Sequence, residues 1–126
     1  MGTRSLIGME NPDGTVIYIY CHWDGYPEHN GQLLKNYYSD LDKVQELIAL
    51  GDLSVLGKEI GQKQDFNNRE TINKDWCLAY GRDRGEESEA KTVPMEEFLF
   101  GTTGVVDYKY LFTKGRWTYY PGWCEL

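Results

Sequence analysis

Residues 15–22 constrain this chain more than any other stretch. Val16, Tyr18, Tyr20 and His22 fall on one side of a period of two, and Ile17, Ile19 and Cys21 on the other. β-Branched and aromatic residues at that density specify a strand. Asn11-Pro12-Asp13-Gly14 stands before it. Proline presets the backbone of a turn there and glycine accepts positive φ. Residues 3–10 read as the strand before that turn, so the chain opens on an antiparallel hairpin.

The strand runs into a polar, aromatic elbow, Cys21-His22-Trp23-Asp24-Gly25-Tyr26-Pro27-Glu28-His29-Asn30-Gly31, which holds both histidines. A short helix is expected over 32–38 with Asn30 as its cap. Ser39-x-x-Asp42 resembles a capping box with aspartate in place of glutamate. The helix after it carries Leu41, Val44, Leu47 and Ile48 on one stripe, and Gly51 stands where a terminating glycine belongs. Residues 58–74 are polar apart from Ile60, Phe66 and Ile72 and read as a long loop. Short strands are expected over 75–80 and 88–93, on either side of the charged turn Gly81-Arg82-Asp83-Arg84-Gly85-Glu86-Glu87. Pro94 opens a short helix over 94–99. Residues 105–113 and 116–120 form a closing hairpin about Lys114-Gly115, and Trp123 in the tail is expected to pack back.

These elements sum to one α+β domain spanning 1–126. It has an antiparallel sheet of about five or six strands, with N-terminal and C-terminal hairpins, and two or three helices packed mainly on one face. At 126 residues the chain is long enough to bury a core without metal or disulfide staples.

Thirteen basic residues against twenty acidic ones leave a net charge of −7. That excludes a general nucleic-acid binder, which needs a cationic surface. It permits a local basic pocket for one small anion, or docking of an acidic face on a basic protein. Cys21, Cys77 and Cys124 form no CxxC pair, which predicts reduced thiols. The Met1-Gly2-Thr3-Arg4-Ser5 start lacks the apolar run of a signal peptide, and Leu6 breaks the myristoylation pattern. No apolar stretch reaches membrane-spanning length.

Three groups of residues could carry chemistry. The elbow offers Cys21, His22, Asp24, Glu28 and His29 as metal ligands, or His22 with a carboxylate as a general base. Their spacing suits no standard zinc site, and alternation turns Cys21 and His22 to opposite faces. No metal and no cofactor is therefore expected. The competing reading is a structural corner plugged by Trp23 and Tyr26. The second group is Tyr80-Gly81-Arg82-Asp83-Arg84-Gly85-Glu86, where two arginines on a glycine-flanked turn could clamp a phosphate or carboxylate. The same residues could equally be a solvated tip with Asp83 and Glu86 pairing the arginines. The third is the acidic run Glu86, Glu87 and Glu89, with Glu96 and Glu97 beyond it. It is a solvated face or a dock for a basic partner.

The N-terminal hairpin, the Cys21-to-Gly31 elbow, residues 47–53, the Tyr80-to-Glu86 segment and Gly122-Trp123 resemble a family of small proteins encoded by bacteriophages and prophages. The resemblance carries no established activity. It implies a phage origin and a life in the cytoplasm of a bacterial host. It also implies an accessory protein that acts by binding rather than by catalysis.

The leading expectation is sequestration of a small anionic, nucleotide-like ligand that serves host defence signalling. His22, Trp23, Asp24, Tyr26, His29, Tyr80, Arg82 and Arg84 would line its site, joined by Arg116 or Arg69 across an oligomer interface. Aromatic platforms with arginines are how such ligands are held. The alternative is an acidic inhibitor of a host defence or nucleic-acid-processing protein. A further alternative is a small hydrolase or metalloenzyme centred on His22, Asp24 and His29. Edge strands at both hairpins predict a homodimer or larger homo-oligomer.

Overall fold

A computed structural model describes residues 3–101 and 106–126 of the chain. The expected start of a strand at Val105, and the Met1-Gly2 start, lie outside the described residues. The opening hairpin is β1 (Ser5–Glu10) and β2 (Thr15–Cys21), paired antiparallel from Ser5↔Cys21 to Glu10↔Val16. The closing hairpin is β6 (Tyr108–Thr113) and β7 (Arg116–Tyr120). Lys114 and Gly115 both take positive φ, 53° and 78°, as a two-residue turn matched to strand twist requires.

Between the hairpins lie α1 (Gln32–Tyr37), α2 (Leu41–Ala49), β3 (Leu53–Val55), β4 (Leu78–Ala79), α3 (Tyr80–Arg84), β5 (Lys91–Pro94) and α4 (Met95–Phe100). A two-residue β8 (Cys124–Glu125) closes the chain. The class is α+β, but among the described residues the sheet is mixed and has eight strands rather than five or six. Its order is β4-β3-β2-β1-β6-β7-β8, with β5 also on β2. Two pairs are parallel: β1 with β6, and β2 with β3. The two hairpins are each antiparallel, as their turns demand. They meet side by side through β1 and β6, and no local signal records the direction of that contact.

The expectation placed the helices mainly on one face; α1 and α2 share one face, and α4 covers the other. Ile7, Ile19, Tyr110, Phe112 and Trp117 pack under α1 and α2, against Leu34, Val44, Leu47 and Ile48. The opposite face buries Leu6, Val16, Tyr18 and Leu111 against Phe98 of α4, with Trp123 of the tail beside them. Lys109 lies on that second face, 7% exposed, and donates from Nζ to the carbonyls of Phe98 (2.9 Å) and Gly101 (3.1 Å). It thereby closes the C-terminal end of α4, where carbonyls lack helical partners. Burial lowers its ammonium pKa, opposed by the charge of Glu97.

Two helix starts differ from expectation. Asp40, not Ser39, caps α2, accepting from the Lys43 amide at 3.0 Å. Asn30 does not cap α1; its side chain turns inward. Leu41, counted on the core stripe, is 51% exposed because it precedes the first turn that meets the sheet. Gly51 ends α2 at φ 77° as expected. No helix among the described residues is long and apolar enough to cross a membrane.

Candidate functional site

The elbow is built as an over-determined corner. Beyond β2 the amides of His22 and Trp23 donate to the carbonyls of Leu53 (3.0 Å) and Ser54 (3.1 Å), extending the parallel pairing with β3. Asp24 then turns the chain at φ 56°, a left-handed conformation that aspartate tolerates better than most residues. Gly25 follows where only glycine fits, since a Cβ there would stand 2.7 Å from the Thr3 carbonyl oxygen. Its own carbonyl accepts from the Tyr110 hydroxyl at 2.6 Å. A single π-helical turn, Pro27–Gly31, leads into α1.

Fully buried Asn30 ties the corner together. Its amide donates to the Trp23 carbonyl (3.3 Å) and to Cys21 Sγ (3.4 Å), and its Oδ1 meets His29 Nδ1 at 3.0 Å. Burial pushes the Cys21 thiol up to about 12, so it stays protonated and unreactive. His22 faces the other way, with Nδ1 2.8 Å from the Tyr20 hydroxyl and its ring edge-on to Trp23 at 4.8 Å. The two histidines therefore serve different partners. Among the described residues no three His, Cys, Asp or Glu side chains converge as a metal site would need.

The second segment is a short helix rather than a turn. In α3 the side chain of Asp83 is buried and accepts from the amides of Gln64 and Ala79, both at 2.7 Å. Arg82 pairs with it through Nε (2.9 Å) and Nη2 (3.2 Å). The same guanidinium donates to the carbonyls of Ile60 (2.8 Å) and Cys77 (2.7 Å). Four hydrogen bonds thus engage Arg82 inside the fold. Arg84 stays at the surface, 3.3 Å from Glu86 and with its guanidinium 5.1 Å from the Phe66 ring centre. Phe66 in turn packs on Tyr80, ring centres 5.6 Å apart.

One short strand brings the two segments together. Leu53 of β3 is registered against Cys21 on one side and Ala79 on the other. The elbow and α3 therefore stand about two strand spacings apart, roughly 10 Å. The long segment between β3 and β4 folds over this junction. Gln64 anchors it, donating to the Cys77 carbonyl (3.2 Å) and accepting from the Asn73 amide (2.7 Å). Asp65 and Asn73 each accept an amide two residues on, which shapes its turns.

A cleft of about 280 Å³ opens between elbow and segment, with Trp23, Phe66, Arg69 and Lys74 on its walls and Ser54 and Leu78 at its base. A neighbouring hollow of about 380 Å³ takes in Asp24 and His29 and shares Val55, Ile72, Lys74 and Leu78 with the first. Of the residues singled out from sequence, Trp23 lines the cleft, and Asp24 and His29 the hollow beside it. Tyr80 and Arg84 stand behind Phe66; His22 supports Trp23; Tyr26 packs on His29, ring centres 6.0 Å apart, and lines neither.

Phe66, Lys74 and the same-chain position of Arg69 escaped sequence reasoning. Their one signal was two apolar residues, Phe66 and Ile72, flanking an arginine in an otherwise polar run. No protein-family model matches this chain, and no curated protein or solved structure matches it either.

Proposed function

We propose that this is a non-enzymatic binding protein that sequesters a small anionic ligand with a flat aromatic part, a mononucleotide in type. In this reading it is a phage-type accessory protein that withdraws a host defence signal. The observation that carries it is the cleft between Trp23 and Phe66. Trp23 is 42% exposed although it sits in a rigid corner, and it offers an open ring face or edge to solvent. Arg69 and Lys74 share that cleft, and neither takes part in an ion pair among the described residues. In a chain of net charge −7, two unpaired cations beside two aromatic rings favour an anion that also stacks. The cleft volume lies near the lower end for small-ligand sites, about 300 Å³.

The roles expected from sequence shift accordingly. Arg82 acts as a clamp inside the fold, and Arg69 and Lys74 take over the pairing with the anion. Thermal melts against a panel of cyclic and linear nucleotides test this. One member is expected to raise the melting temperature. Trp23→Ala and the double variant Arg69→Ala/Lys74→Ala are expected to remove that rise. The double variant leaves ligand-free stability within about 0.5 kcal/mol of the parent, as surface changes do, and Trp23→Ala is read as the loss of the ligand-induced rise over its own ligand-free melt. A flat panel overturns the reading.

A further inference from the structure

On the α2 side of the sheet, across α3 from that cleft, α2 ends before it covers the whole floor. Met9 of β1 and Ile17 of β2 are left beside Ile48 at the base of a groove of about 520 Å³. One wall is the Gln45 and Ala49 side of α2; the other is the stretch 86–90, which brings Glu86, Glu87 and Glu89 to the rim. At 100° per residue, Asp42 and Glu46 stand next round the helix from Gln45 and Ala49, and both are exposed. Acidic side chains therefore border the groove on both walls. Glu86 is engaged by Arg84, whereas Asp42, Glu46, Glu87 and Glu89 have no ion pair among the described residues. Among the described residues no lysine or arginine lines this groove. It continues, through Met9 and Gln45, into a second hollow of about 530 Å³ beside Leu41 and Phe112.

We infer that this groove docks a lysine- or arginine-bearing segment of another protein, with apolar side chains seated on Met9, Ile17 and Ile48 and basic ones reaching the two acidic rims. Charge complementarity selects this occupant. An acidic segment would meet like charge on both rims, and a neutral apolar one would leave four carboxylates without partners. Exposed acids alone would make a solvated face; the apolar floor between them gives the basic segment a place to anchor.

Fluorescence anisotropy of the intact protein with three labelled peptides tests this: alternating lysine–leucine, lysine–serine and glutamate–leucine. The lysine–leucine peptide is expected to bind, more weakly as salt rises. The other two are expected to bind at least about tenfold less tightly, having lost either the anchor or the charge match. Glu87→Lys/Glu89→Lys is expected to weaken the lysine–leucine peptide by about tenfold or more. Ala49→Arg, which crowds the wall from an exposed position, is expected to do the same with the far-ultraviolet circular dichroism unchanged. Glu70→Lys/Glu96→Lys makes the same charge change elsewhere on exposed positions and is expected to weaken it less than about threefold. The proposal is overturned by no binding at low salt, by equal binding of the lysine–serine or glutamate–leucine peptide, or by equal loss in the two charge-reversed variants.

Discussion

Asp52 shows how much a single side chain can decide here. The outer edge of β2 has two partners, β5 along Thr15–Tyr18 and β3 at Cys21, and they leave Tyr20 between them. The Tyr20 amide donates instead to Asp52 Oδ1 at 2.9 Å, so one carboxylate stands in for a missing strand residue. Burial raises the Asp52 pKa, against the opposing pull of the Tyr20 amide and the Lys91 charge. The native state then holds the proton more tightly than the unfolded chain. That contribution to stability is complete below the ordinary aspartate range and is lost as pH rises through the raised value. Asp52→Asn keeps the acceptor oxygen and removes the charge. Its melting temperature at pH 7 is expected to exceed the parent's by about 2 °C, with the gap closing as pH falls through the carboxylate range. A gap independent of pH would assign the gain to another cause.

Residues of this kind are hard to read in a sequence. Arg82 and Arg84 are alike in spacing and in glycine neighbours. The carbonyls of Ile60, 22 residues back, and Cys77 turn the first inward, and the second stays outside. The elbow was easier to read as a corner, because Gly25 and Pro27 end the strand, although Pro27–Gly31 form a helical turn into α1 where a break in regular structure was expected. Asn30 as its internal tie gave no signal apart from its residue type, since asparagine is as common at a cap.

At the scale of elements, α3 and the segment folded over it stand or fall together. Asp83 holds the Gln64 amide, and Arg82 holds the Ile60 carbonyl. Arg82→Ala would leave the buried Asp83 carboxylate without its cation and is expected to cost about 3 kcal/mol or more. Limited proteolysis is expected to cut first within 61–74, where release of the clamp frees the backbone. Arg84→Ala removes only an exposed pair and is expected to cost under about 1 kcal/mol. Similar losses from the two variants in chemical denaturation would remove the distinction.

Elements with strong local signals were legible: both hairpins, the stripe and terminal glycine of α2, and the proline before α4. β3 was not, because a strand of three residues has too few positions to show a period, and of the strand expected over 75–80 only Leu78 and Ala79 pair as β4. Their pairing depends on the neighbouring β2 edge rather than on themselves.

For the whole molecule, the second covered face was written in the strands, though the expectation placed the helices mainly on one side. Val16, Tyr18 and Leu111 sit opposite Ile17, Ile19 and Phe112, so both sides of the central strands are apolar. A sheet of that pattern needs cover on each side. The parallel β1–β6 contact was beyond reach, because it joins residues about a hundred positions apart and no turn sets its direction.

That contact also gives the fold a direction of mechanical strength. Ser5 to Met9 are registered in order with Tyr108 to Phe112. Tension applied between Thr3 and Lys114 pulls the two strands past each other and loads the whole ladder at once. Tension between Thr3 and Asp107 pulls from one shared end and opens the rungs in turn. In single-molecule stretching the first pair of handles is expected to require the clearly larger rupture force. A protein small enough to unfold in one step would then be stiff along one axis and easily unzipped along another.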